Sequence, residues 1–256
     1  MHNEADAYGE KVADEYDGLY EDFEPPAEQI TLLRELAAGK ECVEIGAGTG
    51  RITIPLAASG QPVTAVDSSL SMLDGLRKKR GDLPVVLVHA DAAEYRHPIP
   101  AQLAFACFNT FFLMASTAAQ RAFLRSARRY LAPGGMLLIE VYVPVSEGYL
   151  PDGPNPGYMP ERQSLTLKKQ HQDTAVLFSA VNDQASQTLT YQEIVLADGR
   201  MPRVMPGVQR YHTPEQMDEL ADSEGLVLKD RWADWARAPY TEGVARKHIS
   251  LYAPLP

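Results

Sequence analysis

The chain has 256 residues, 45% of them hydrophobic, and a formal net charge of −10, enough material for one full core. No run approaches the roughly 20 apolar residues that a membrane helix requires, and the acidic balance works against sequence-independent phosphate binding, which needs clustered Lys and Arg; neither membrane nor nucleic acid is expected as a partner. The polar, acidic stretch from Met1 to Glu10 lacks the basic and apolar regions of a signal peptide, so a cytoplasmic location is expected, and Cys42 and Cys107, each in an apolar run, read as buried reduced thiols.

Tyr8, Val12, Tyr16, Leu19 or Tyr20 and Phe23 recur at helical spacing, an amphipathic helix that Pro25-Pro26 stops. A second helix over about 27–38 leads to a strand at about 41–45. There follows Val43-Glu44-Ile45-Gly46-Ala47-Gly48-Thr49-Gly50-Arg51, a Gly-x-Gly-x-Gly turn directly behind an apolar run. Alternate glycines let the backbone bend sharply and lie against a ligand with no Cβ in the way. The next helix, about 52–58, turns unpaired N–H groups toward whatever anion sits there. The second strand, about 62–66, ends on Asp67, about twenty positions after Gly46. Glycine turn, helix and strand-end carboxylate make the βαβ pattern for a nucleoside-containing ligand whose ribose hydroxyls the acid accepts. A plain strand-end turn is the competing explanation of Asp67.

Ser68 or Ser69 caps a helix marked by Leu70, Met72, Leu73 and Leu76. The basic run Arg77-Lys78-Lys79-Arg80 ends it, where cations favour the helix dipole. A third strand over about 85–88 leads to His89-Ala90-Asp91-Ala92, a fourth spans about 103–108, a helix about 117–131 and a fifth strand about 136–143. Strands alternating with helices predict an α/β chain with a doubly wound, Rossmann-like, mostly parallel sheet.

After Val143 the pattern changes. Pro144, Pro151, Pro154, Pro156 and Pro160 predict a long loop in which neither helix nor strand propagates. Alternating runs at about 164–171, 175–181, 188–196 and 203–211, with Asn182-Asp183 as a turn, predict short antiparallel strands. This inserted antiparallel β-sheet leaves the parent fold at the carboxyl end of strand five, the edge where open α/β sheets bind ligands. The chain returns through a helix with Thr213 at its N-cap and Pro214 at its first position, then strands near 226–232 and 246–252. The expected organisation is a ligand-binding domain from residues 1–143 and 213–256 with an N-terminal helical cover, and a lid from residues 144–212.

The nicotinamide fingerprint wants glycine where this chain has Arg51. A carboxylate two residues before the first glycine, Glu44, repels a pyrophosphate and suits a cationic ligand. With these residues the chain resembles the class I S-adenosylmethionine-dependent methyltransferases, through Val43 to Arg51, Ala65-Val66-Asp67-Ser68-Ser69-Leu70-Ser71-Met72-Leu73, His89-Ala90-Asp91-Ala92 and Leu131-Ala132-Pro133-Gly134-Gly135. The resemblance implies S-adenosylmethionine as cofactor. It sets Gly46, Ala47, Gly48, Gly50 and Arg51 around the methionine portion, with Glu44 near the sulfonium and the amino-acid tail. Asp67 and Ser68 fall at the ribose, Met72 against the adenine face, and Asp91 and Ala92 near the adenine amino group. Tyr16 and Tyr20, in Tyr-Asp-Gly-Leu-Tyr, fold over the methionine tail in related enzymes. Phe108 and Asn109 close the fourth strand, where such enzymes look onto the transferring methyl. Plainer explanations stand beside these: Met72 packs the core by periodicity, Asp91 caps a helix from Ala92 onward, and the tyrosines form an ordinary helix face.

The same resemblance points to enzymes acting on sugar amines and natural products, with a small-molecule acceptor and a monomer or homodimer. Neither Asn-Pro-Pro-Tyr nor Asp-Pro-Pro-Tyr, which grip planar nitrogens in nucleic-acid methyltransferases, follows strand four, and no acidic cluster at that spot implies a metal. Transfer from a sulfonium needs alignment above all, and a base serves only an acceptor that must lose a proton. Of six histidines, His171 and His212 lie in or beside the insertion and are candidate bases, with Tyr211 and Asn109 as further catalytic candidates; a structural role at a helix start explains His212 as well. Two other functions stay open at this point: a fold relative that binds the cofactor but catalyses a different reaction or regulates, and a nicotinamide oxidoreductase, which Arg51 disfavours.

Overall fold

The computed structural model describes residues 9, 10, 13, 16–18, 24–145, 149–150, 153–154, 159–171 and 173–255. Helix α1 (Ala27–Ala37) precedes β1 (Cys42–Ile45), α2 (Thr53–Ala58), β2 (Val63–Asp67), α3 (Leu70–Lys79), β3 (Val85–His89), β4 (Ala101–Ala106), α4 (Thr110–Leu113), α5 (Thr117–Tyr130) and β5 (Leu131–Tyr142). Then come β6 (Tyr149–Leu150), β7 (Gly153–Pro154), β8 (Gln163–His171), β9 (Thr174–Asp183), β10 (Thr188–Ala197), β11 (Arg203–Arg210), α6 (Pro214–Ser223), β12 (Leu226–Trp232) and β13 (Lys247–Pro254).

The main sheet has seven strands in the order β12-β13-β5-β4-β1-β2-β3. β1 lies parallel to β2 and β4, and β4 parallel to β5, while β13 runs antiparallel to β5 and β12 to β13. The strand order reverses between β1 and β4, so their carboxyl ends part and leave a crevice, the position where open α/β sheets take ligands. All four residues of β1 are buried, as expected of a strand covered on both faces. Leu32 and Leu33 of α1, Leu56, and Leu73 and Leu76 of α3 pack one side with Phe105; Phe111, Phe112, Phe123 and Tyr252 pack the other. Each such side chain contributes roughly 1.5–3 kcal/mol of burial. Among the described residues no helix is long and apolar enough to cross a membrane.

A separate four-stranded antiparallel sheet, β11-β10-β9-β8, follows β5. Its alternation aims Leu189, Tyr191 and Glu193 of β10 inward and leaves Thr190 and Gln192 outside. Ala180, Leu189, Tyr191 and Met205 of this sheet join Phe111, Phe112 and Tyr142 in one apolar cluster, so its inner face closes on the crevice side of the parent sheet.

Four local expectations need correction, the first being the turn expected at Asn182-Asp183: both residues pair with β10 as the end of β9, and the turn falls at 184–187. β5 begins at Leu131, not near Met136, because Leu131 still pairs with Ala101 and a register shift between Ala101 and Leu103 absorbs Pro133-Gly134-Gly135. Among the described residues of the proline-rich stretch, Tyr149 pairs with Pro154 and Leu150 with Gly153; proline lacks only the donor, and its carbonyl still accepts. A one-turn helix, α4, follows β4 where only the strand end was expected.

Candidate active site

A cleft of about 1200 Å³, counted out to its open mouth, occupies the crevice. Its floor is the glycine turn, with Gly46 at φ 70° and Gly48 at φ 56°. Gly46 and Ala47 N–H both donate to Val66 O, at 2.8 and 3.1 Å, which lashes the turn to β2. A Cβ on Gly46 would stand 2.4 Å from the Thr110 methyl, so the absence of a side chain there lets the two strand ends meet. Gly50 does not line the cleft; at φ 92° its α-carbon faces Leu76, where a Cβ would come within 2.2 Å. Its task is packing α3 close to the turn.

Asp67 lines the cleft and also holds the turn: Gly48 N donates to Oδ2 at 2.7 Å and Ser69 N to Oδ1 at 2.9 Å. Ser68, Met72, Asp91 and Ala92 line the same wall. Met72 is 4% exposed, so it packs the core while presenting an edge to the cleft. Asp91 Oδ1 accepts from Ala93 N at 2.8 Å, closing a turn and not a helix. Tyr16 lines the cleft too, and desolvation pushes its phenol up to about 12. Tyr20 lies outside the described residues.

Glu44 departs from the simple expectation of an ionised carboxylate. It is 3% exposed, accepts a hydrogen bond from the Thr53 hydroxyl at the start of α2, and is raised to about 8 by burial. The Thr53 bond and nearby Arg51 oppose that rise, and Asp67 adds to it.

Beyond β4 the backbone makes an unusual turn. Phe108 at φ 54° and Asn109 at φ 66° are consecutive left-handed residues, neither of them glycine, at a cost of order 1 kcal/mol or more each. Phe108 N donates to Glu140 Oε2 at 3.0 Å, Asn109 N to Glu140 O at 3.2 Å, and Tyr142 N to Asn109 Oδ1 at 2.8 Å. Arg51 sits over the Phe108 ring, 4.1 Å from its centroid. Phe108, Asn109 and Arg51 all line the cleft, but the Asn109 amide oxygen is committed to the β5 backbone. Asn109 is therefore a clamp between strand ends, its amide oxygen taken by β5 while the residue lines the cleft.

Of the other catalytic candidates, Tyr211 and His212 do not line the cleft. His212 is 5% exposed, outside the cleft lining, and donates from Nε2 to Gln120 Oε1 at 2.7 Å; burial and nearby Arg210 lower it to about 4. Tyr211 OH donates to Asn182 Oδ1 at 2.9 Å, outside the same lining. The return segment had to satisfy these polar groups in the core, and it used them up. His171 closes β8 opposite Thr174, whereas the cleft-facing Tyr191 pairs with Ala180 and Ala180 with Ser164. Seven strand positions separate Ser164 from His171, roughly 23 Å at the usual rise.

Tyr191 and Gln209 were not anticipated, and they supply the cleft wall from the antiparallel sheet. The Tyr191 ring stacks on Phe178 at 5.3 Å and lies over Gly207, its cross-strand partner, where a Cβ would come within 2.3 Å. Gln209 Oε1 accepts from Tyr142 OH at 2.8 Å. The signal was parity within the strands: odd positions of β10 face inward.

Comparison with known proteins agrees with this geometry. Residues 42–135, from β1 through the start of β5, match a family described as "Methyltransferase domain". The cypemycin N-terminal methyltransferase of a Streptomyces species is 35% identical over 102 residues, which is 40% of this chain and 42% of that one, so the match spans less than half of the relative's length. CalS10, an amino pentose methyltransferase of Micromonospora echinaspora solved with S-adenosylmethionine bound, superposes with a TM-score of 0.66 at 16% identity over 93% of this chain and 95% of its own, a likeness of fold. The CcbJ methyltransferase of Streptomyces caelestis superposes with a TM-score of 0.87 and is 31% identical over 98% of both chains. A likeness of that extent, insertion included, goes beyond fold, and the chain belongs to the S-adenosylmethionine-dependent methyltransferases.

Proposed function

We propose that this protein methylates an amine nitrogen of a small molecule, the inserted sheet forming the acceptor side of the site. The observation that carries this is a single cleft with two kinds of wall: the glycine turn, Asp67, Met72 and Asp91 on one side, Tyr191 and Gln209 of the antiparallel sheet on the other. In this reading the Asp67 carboxylate accepts ribose hydroxyls and Asp91 and Met72 take the adenine. Ser68 and Ala92 complete that wall, and Glu44 in its ionised form meets the ammonium of the tail. When bound, S-adenosylmethionine supplies an electrophilic methyl on a leaving group. What remains for the protein is alignment and exclusion of water.

Amine rather than hydroxyl is favoured by where the imidazoles stand. A hydroxyl benefits from proton removal as the bond forms, whereas an amine need only arrive neutral. His212 is spent on Gln120, and His171 closes β8 far along the strand. The names of CalS10 and the cypemycin enzyme, an amino pentose and an N-terminal methyltransferase, support the same class. The segment 144–212 would then serve as a lid that selects the acceptor. The test is a panel of amine, hydroxyl and carboxyl acceptors read by formation of S-adenosylhomocysteine and by product mass. Turnover confined to hydroxyl acceptors overturns the amine assignment. Tight cofactor binding with no methylated product from any class would leave a binding relative of the family.

A further inference from the structure

We propose that Glu140 is a positioning residue for the cofactor cleft, acting through the left-handed turn at Phe108 and Asn109; this rests on the cofactor reading above. Glu140 lies on β5, outside the cleft lining and 7% exposed. Its two carboxylate oxygens are divided: Oε2 accepts from Phe108 N at 3.0 Å, and Oε1 accepts from Lys247 Nζ on β13 at 2.7 Å. Its own carbonyl accepts from Asn109 N. One residue therefore holds both amides of the turn, and the neighbouring strand's cation keeps its charge balanced in a largely desolvated place.

The sequence of the turn shows what the arrangement is for. A glycine at 108 would adopt φ 54° without strain, but it would carry no ring. The chain keeps Phe108, and that ring lies under the Arg51 guanidinium at 4.1 Å. Arg51 in turn stands at the end of the glycine turn, lines the cleft and acts on both Glu44 and Tyr16 electrostatically. Lys247, Glu140, Phe108 and Arg51 thus form a continuous chain of contacts from β13 to the cofactor floor. A guanidinium over an aromatic face is oriented by it, so fixing the turn fixes the cation.

The test measures S-adenosylhomocysteine affinity by calorimetry on the full chain, with melting temperature as a check of folding. Glu140→Leu removes the acceptor of Phe108 N and is expected to weaken binding about tenfold. Glu140→Gln keeps an amide oxygen in place and should stay within about threefold of the parent. Phe108→Gly keeps the turn but drops the ring, with a loss of about tenfold expected. Because both act on Arg51, the double variant Glu140→Leu with Phe108→Gly should be no more than about threefold weaker than either alone. Glu140→Asp retains the charge but falls one methylene short of Phe108 N; it carries the same expectation as the leucine variant should that one not fold. Parental affinity in a folded leucine or aspartate variant, or losses that multiply to about a hundredfold in the double, would overturn the proposal. If the parent itself does not bind the compound, it is the functional reading that fails.

Discussion

Glu44 titrates in the wrong range for an ordinary carboxylate, and its position gives that a measurable effect. Burial raises it from 4.5 to about 8, so in the free protein its contribution to stability is full below pH 4.5 and is lost as pH rises through 8. A cationic tail bound beside it favours the ionised form. Binding of S-adenosylhomocysteine near pH 7 is therefore expected to release up to about one proton, seen as a buffer-dependent enthalpy in phosphate against Tris. Equal enthalpies after correction, together with the same result for Glu44→Gln, would place the ammonium elsewhere. Asp67→Ala should weaken cofactor binding by about 1–2 kcal/mol, and because it also frees Gly48 N it should lower the melting temperature of the free protein. His212 behaves in the opposite sense from a base. Its imidazole is held neutral down to about 4, so its share of stability is present above pH 6.5 and is lost as pH falls from 6.5 through 4. His212→Ala is expected to cost about 1–3 kcal/mol of stability by orphaning the Gln120 oxygen, while the pH–rate profile keeps its shape. A lost limb in that profile would restore the catalytic assignment.

At the level of elements, the inner row of β10 and β11 carries the acceptor wall in the proposed function, and Gly207 sets its depth. A Cβ at this position would stand 2.3 Å from the Tyr191 ring, so Gly207→Val should push the ring into the cleft. The expected result is a higher Michaelis constant for the acceptor, or slower turnover, with cofactor affinity within about threefold, under roughly 0.7 kcal/mol. Unchanged acceptor kinetics would separate this sheet from the acceptor. The parallel strands and their helices were legible because mainly apolar runs alternate with amphipathic ones and the glycine turn at Gly46 to Gly50 marks the boundary between β1 and α2. The antiparallel runs were legible from their period of two. What escaped was which face of each antiparallel strand meets the cleft. Tyr191 belongs to a run that was recognised as a strand, but which parity faced the crevice depends on how the sheet docks, and that is a long-range fact. Tyr211, His212 and Asn109 carry reactive-looking groups, yet reactivity in sequence does not distinguish a side chain aimed at a ligand from one that satisfies a buried backbone or amide. α4 has too few residues to show a period at all.

For the molecule as a whole, the cleft joins distant parts of the chain, so filling it should stabilise everything. At about 100 times its dissociation constant, S-adenosylmethionine or its demethylated product should add about 2.7 kcal/mol, a rise of roughly 5–10 °C in melting temperature for a chain of this size. No shift with either compound would remove the cofactor site. Gln120 of α5 bears on how anything enters. Its amide nitrogen donates to Phe111 O of α4 at 3.2 Å and to Arg210 O of β11 at 2.8 Å, while its oxygen receives His212. The return of the antiparallel sheet and the one-turn helix beneath the cleft are thus riveted through one buried side chain. A swing of the sheet about that joint would tear all these bonds together. Sheet and floor are thereby tied at one buried joint, and the same cleft is lined by Gly9 and Tyr16 from the start of the chain.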